Sequence, residues 1–118
     1  MSEYKVINLE FLSSFTQNND AKMVRYIGMF LDLAPKAINQ MKEQLANKDF
    51  VQLKTTAHSL KPQLGYMGIA SIKETVIRIE EYADGEGRSE EISALIAKVD
   101  ETCQVAYTEL KQAIEKIS

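Results

Sequence analysis

Residues 49–68 read DFVQLKTTAHSLKPQLGYMG, and their spacing decides the fold. Phe50, Leu53, Ala57, Leu60, Leu64 and Met67 recur three and four residues apart, which stacks them along one face of an α-helix. Asp49, with Gln52 three residues on, resembles a capping box in modified form and marks where that helix starts. Gly68 is where it breaks.

The same pattern extends in both directions. Towards the N-terminus, Val24, Ile27, Leu31, Ala34, Ile38, Met41 and Leu45 form a second stripe, with Asn19 or Asp20 able to cap its start. Pro35 falls inside this stripe and lacks a backbone donor, which predicts a kink near Leu31 to Pro35. Towards the C-terminus, Ile69, Ile72, Val76, Ile79 and Ala83 make a third stripe, stopped by Asp84-Gly85-Glu86-Gly87. The longest one runs through Ile92, Leu95, Val99, Cys103, Ala106, Leu110, Ala113 and Ile117, with Ser89 as its N-cap. A short helix around Leu9 to Phe15 is expected to cover one end, using Leu9, Phe11, Leu12 and Phe15.

Four long amphipathic helices with short joints predict an all-α fold, an antiparallel up-down four-helix bundle with a short additional N-terminal helix. Sustained 3-4 spacing also suits an extended coiled coil. The breaks at Asn47-Lys48-Asp49, Gly68 and Asp84 to Gly87 fold the helices back instead. A length of 118 residues suits one domain, residues 1–118, with a single core.

Composition excludes several functions. A formal charge of -3 lacks the basic footprint of a nucleic-acid binder. One cysteine, Cys103, cannot close an internal disulfide or build a zinc site alone, and its spacing makes it a small buried apolar residue. The start, Met1 to Lys5, lacks the basic-then-apolar pattern of a secretory signal, and no apolar run nears the roughly 20 residues of a membrane helix. A cytoplasmic protein is expected. No G-x-x-x-x-G-K-[ST] loop supports ATP use, and no Glu-x-x-His pair supports a di-metal bundle.

The chemistry-bearing residue is His58, the only histidine. Ala57 and Leu60 occupy core positions, so His58 sits beside the stripe rather than within it. Its same-face neighbours are Lys54, Thr55, Lys61, Pro62 and Gly65. This arrangement predicts an imidazole flanked by Lys54 and Lys61, in a cationic patch with room at Gly65. A neutral imidazole nitrogen is a competent nucleophile near neutral pH. Attack on a phosphoryl donor would place two negative charges on the ring, which Lys61 and Lys54 could partly neutralise. The helix offers no metal ligand, so a partner would bring magnesium and most of the catalysis. Spacing alone favours the plainer reading, since a lone histidine between lysines is more often part of a solvated face.

The longer string Ala57-His58-Ser59-Leu60-Lys61-Pro62-Gln63-Leu64-Gly65-Tyr66-Met67-Gly68 resembles the signature of histidine phosphotransfer (HPt) domains. That signature reads roughly A-H-x-L-K-G, followed after a few small or apolar residues by an apolar residue and glycine. Ala57, His58, Leu60, Lys61, Met67 and Gly68 match it in place, and Asp49 fits the family's usual loop. The helix order extends the resemblance over nearly the whole chain. It implies a phosphohistidine carrier in a two-component phosphorelay, shuttling a phosphoryl group between receiver-domain aspartates. His58 would be the phosphoacceptor, Lys61 the stabilising charge, and Gly68 a structural residue at the turn. The implied partners are response-regulator receiver domains and a hybrid sensor kinase. Such a carrier is a phosphotransfer intermediate rather than an enzyme, a monomer with no cofactor of its own and magnesium on the receiver.

One position departs from the signature. Pro62 stands where glycine is usual, cannot donate to the His58 carbonyl, and predicts a kink or widening just after His58. Gln63 replaces a small polar residue, and Gly65 restores clearance on the histidine's face. Lys54, Pro62, Gln63 and Gly65 are therefore candidate receiver contacts, with Met23 and Phe30 as an apolar anchor if exposed. Buried, that last pair would extend the core under the first helix. Two other readings stay open: an HPt-like scaffold that binds receivers without accepting phosphate, and a generic helical adaptor.

Overall fold

The computed structural model describes residues 4–85 and 88–117. Five helices follow in order: α1 (Glu10–Phe15), α2 (Asp20–Ala46), α3 (Phe50–Tyr66), α4 (Lys73–Gly85) and α5 (Ser89–Ile117). The fold is the expected all-α bundle with a short additional N-terminal helix. α3 packs between α2 and α4, and α5 closes the bundle against both. No helix among the described residues is long and apolar enough to cross a membrane.

Local chemistry sets the helix ends. Asn19 Oδ1 accepts the Lys22 N–H at 3.0 Å and Asp49 Oδ1 accepts the Gln52 N–H at 3.2 Å. Such caps contribute about 1 kcal/mol each by satisfying a donor the helix cannot. Ser89 is the first residue of α5 rather than its cap. The expected stop at Glu86-Gly87 lies outside the described residues. α2 and α3 both continue as helix through Pro35 and Pro62, so neither proline ends its element.

α3 ends in a Schellman motif, with the Ile69 N–H donating to the Leu64 carbonyl at 2.9 Å and the Gly68 N–H to Gly65 at 3.2 Å. Gly68 takes φ +64°, and a Cβ there would strike the Asn8 carbonyl. Only glycine suits that pair of constraints. The approaching segment is a strap over the bundle end. Asn8 donates its N–H to the Met67 carbonyl at 3.0 Å, while the Glu109 carboxylate on α5 accepts the N–H groups of Lys5, Val6 and Ile7 at 2.6, 2.9 and 3.1 Å.

The core corrects two expectations. On α2 the deepest residues are Met23, Ile27, Phe30, Ala34, Ile38 and Met41, whereas Val24, Leu31 and Leu45 are only half-buried. Phe30 is fully buried beside Tyr107 of α5, with ring centroids 6.1 Å apart. The core face of α2 is thus rotated slightly from the stripe read off the sequence, because α5 and the strap cover that side. Met23 and Phe30 belong to the core and present no apolar anchor to a partner. On α1 it is Leu12 that is buried, while Phe11 and Phe15 remain half exposed. Cys103 is buried, and burial pushes its thiol up to about 12, which leaves it an inert packing residue.

Candidate functional site

α3 carries His58 outward, with its side chain 69% exposed. The ring is nevertheless held. Nδ1 lies 3.0 Å from Oε2 of Glu80, a residue of α4. The other oxygen of the same carboxylate, Oε1, lies 2.8 Å from Lys61 Nζ. Glu80 therefore bridges the imidazole and the lysine one turn further along α3. Its own side chain is only 12% exposed. Burial pushes the Glu80 carboxyl up, but hydrogen bonds from Lys61 and His58, together with their charges, outweigh that effect. The carboxyl ends below the usual glutamate range and is ionised at neutral pH.

Lys54, one turn before His58, is also paired. Its Nζ lies 2.8 Å from both carboxylate oxygens of Asp84 on α4. The cationic patch expected around His58 is thus a charge-balanced row, each lysine of α3 meeting a carboxylate of α4. The reason is hairpin register. α3 and α4 run antiparallel about the turn at Ile69, and His58 with Glu80, like Lys54 with Asp84, stand at equal distances from it along the chain. Two helices that fold back at one residue bring such pairs face to face.

The opposite side of α3 differs in kind. Tyr66 meets Phe11 and Phe15 of α1 and Tyr26 of α2, with ring centroids 6.1, 5.6 and 5.6 Å away. Phe11 stacks on Phe15 at 5.8 Å, and Phe15 meets Tyr26 edge-on at 5.7 Å. From that contact α2 runs antiparallel to α3. Leu33 lies seven residues, about two turns, further along α2 from Tyr26, towards the α2–α3 turn. Met29 and Leu33 are both half exposed, and Pro62 is exposed. A side chain at Gly65 would meet nothing within 4 Å, so the surface beyond Pro62 is open.

Of the residues singled out from sequence, the structure brings His58 and Lys61 together through Glu80, and places Pro62 and Gly65 on the exposed ridge of α3. Gln63 is half-buried beside that ridge. Lys54 is near but committed to Asp84. Two features escape a reading of the sequence. Glu80 is one of several carboxylates on its helix, although a turn placed at Gly68-Ile69 would have paired it with His58. The aromatic group of Phe11, Phe15, Tyr26 and Tyr66 gives no periodic signal, because its members come from three helices.

An exposed histidine on the third element of a helical bundle, with a lysine one turn ahead, is the arrangement that the sequence resemblance implies. The sequence model of the Hpt domain matches residues 25–118, and the chain belongs to that family. Hpt domains carry phosphoryl groups on histidine in phosphorelays and interact with receiver domains. They are carriers rather than true catalysts. The match begins inside α2, so α1 and the strap lie ahead of it. Neither a curated protein nor a solved structure matches the chain significantly.

Proposed function

We propose that this protein relays a phosphoryl group between receiver-domain aspartates through His58. The observation that carries the reading is the pose of the ring: its Nδ1 edge is engaged by Glu80, which turns Nε2 away from α4 towards solvent. Nε2 attacks the phosphorus of a receiver's aspartyl phosphate in line. The nitrogen–phosphorus bond forms as the aspartyl oxygen–phosphorus bond breaks, and the aspartate leaves as a carboxylate. The reverse reaction loads the next receiver. Magnesium and most of the transition-state stabilisation come from the receiver, and this chain contributes the nucleophile, its orientation and the Lys61 charge.

The receiver's contact surface is the apolar flank of Phe11, Phe15, Tyr26, Met29, Leu33 and Tyr66, continued through Pro62 towards the imidazole. Half-exposed aromatic and aliphatic side chains in one continuous strip are the usual material of interface anchors. Pro62 adds apolar area one turn from the nucleophile. It also leaves the His58 carbonyl without a helical donor, an acceptor within reach of a docked partner. Partner choice thereby includes the position where this chain departs from the family signature. The protein acts as a cytoplasmic monomer between a hybrid sensor kinase and a response regulator.

The test is transfer from a phosphorylated receiver. Wild-type protein takes up acid-labile, base-stable phosphate, whereas His58→Gln takes up none and keeps its helical circular dichroism. Labelling that persists in the variant would sink the proposal. Receiver binding without labelling of the wild type would make the domain a docking scaffold.

A further inference from the structure

Glu109 is an acidic residue of α5 that is only 8% exposed. A carboxylate in such a place needs donors. It takes them from the backbone of the strap: Oε2 accepts the Lys5 N–H at 2.6 Å, and Oε1 accepts those of Val6 and Ile7 at 2.9 and 3.1 Å. Three successive N–H groups turned onto one anion form a cradle that fixes the path of the chain. The Ile7 side chain is buried in the core.

The next residue hands that position on to α1. Asn8 donates its N–H to the Met67 carbonyl at 3.0 Å, lies with its own carbonyl against Gly68, and accepts the Glu10 N–H on Oδ1 at 2.9 Å. Glu10 opens α1, which has six residues. A helix that short does not hold itself, because the first turn is unfavourable alone. Leu12 and Thr16, both buried, pin its middle and far end. The strap sets the near end, and with it the direction in which Phe11 and Phe15 stand.

We infer that Glu109 is a positioning residue for receiver docking: by holding the strap it presets α1, so that Phe11 and Phe15 meet the partner already in place. The inference rests on the docking surface proposed above.

Presetting matters because a segment ordered only on binding loses part of its contact energy to that ordering. The strap and α1 lie ahead of residues 25–118, the part that the family model matches. Glu109 lies inside that part and ties the leading segment to it. The chemistry at His58 belongs to α3 and α4, whose ring contact and ion pairs involve neither the strap nor Glu109. Displacing the strap therefore lowers partner affinity and leaves the phosphoacceptor as it is.

The test is a mutant cycle on the full chain, read against the receiver domain that labels the wild type fastest in a panel. Glu109→Ala should weaken receiver binding about fivefold, while labelling of His58 by phosphoramidate, a small phosphoryl donor, keeps its wild-type rate. In the Phe11→Ala, Phe15→Ala background the same substitution should cost less than about twofold, because the rings it positions are gone. Glu109→Gln, which keeps one acceptor oxygen, should fall between wild type and Glu109→Ala. It carries the cycle if the alanine variant loses its helical circular dichroism. Wild-type affinity in these variants overturns the inference. So does an equal loss in both backgrounds, or a phosphoramidate rate that falls in step with affinity, since either makes Glu109 a general support of the bundle. Full affinity in the Phe11→Ala, Phe15→Ala background would remove the docking surface and this inference with it. A wild type that phosphoramidate does not label at His58 would instead discard the phosphoacceptor reading, and the affinities would still decide the role of Glu109.

Discussion

The two flanks of α3 are built from opposite materials. On the α4 side both lysines that flank His58 meet an anion: Lys54 with Asp84, and Lys61 with Glu80, at 2.8 Å in both cases. On the α1 and α2 side the surface is aromatic and aliphatic, held by ring contacts between 5.6 and 6.1 Å. The Glu80 carboxylate touches the imidazole directly, so the α4 flank acts on the charge of the ring. Apolar area is non-directional and accumulates with contact, so the α1–α2 flank suits a partner's surface. One helix can serve both because its exposed ridge, with His58, Pro62 and Gly65, lies between them.

The largest effect should come from misplacing the boundary between core and apolar flank. Phe30→Ala removes a fully buried ring and should cost about 3–5 kcal/mol of stability in urea unfolding. Phe11→Ala, at a half-exposed ring, should cost less than about 1 kcal/mol. If the two costs came out equal, the division of α2 and α1 between core and surface would be wrong. Next in size is partner affinity. Replacing both Phe11 and Phe15 by alanine should weaken receiver binding about tenfold or more, roughly 1.4 kcal/mol or above. Labelling of His58 by phosphoramidate should not change. Undiminished affinity in a titration would move the docking surface elsewhere.

The charged flank divides within itself. Lys61→Ala should slow transfer from a receiver severalfold, since Lys61 shares the Glu80 carboxylate with the imidazole. Lys54→Ala should leave transfer near wild type and stability within about 1 kcal/mol, because the Lys54–Asp84 pair is exposed and screened. Equal losses in both variants would restore the simple cationic patch. The smallest effect is in acid. Glu80 and Asp100 both titrate below their ordinary values of 4.5 and 3.8, in each case because hydrogen bonds and positive charge outweigh burial. Carboxyls depressed by folding release protons more readily in the native state. Their contribution is therefore complete at neutral pH and is lost as pH falls below those ordinary values and through the depressed ones. Thermal melts from neutral pH down to 3 should show that loss in the wild type, and less of it in Glu80→Gln.

Much of this arrangement is legible in the sequence. The helix boundaries at Asp49 and Asn19 follow from side chains that cap locally, and the face of His58 follows from Ala57 and Leu60 beside it. Val24 and Leu31 mark where periodicity falls short. A stripe three and four residues apart locates a face only to within about one residue, roughly 100° of rotation. Met23 and Phe30 compete for the same role one position earlier. Which set goes inside depends on what packs against α2, and the answer is α5 with Tyr107, together with the strap. Glu109 shows the same limit. Its three bonds to Lys5, Val6 and Ile7 join residues about a hundred positions apart, and no local pattern announces them.

The sequence by itself determined the all-α class, the order of the helices and the outward placement of the single histidine, because helical periodicity and capping are properties of neighbouring residues. Tertiary structure decided which carboxylate holds the ring, which phenylalanines are buried and which are shown, and that Lys54 is already matched. Those outcomes depend on the register of one helix against another. Glu80 is 22 residues from His58 along the chain and 3.0 Å from it in space only because α3 and α4 fold back at Ile69.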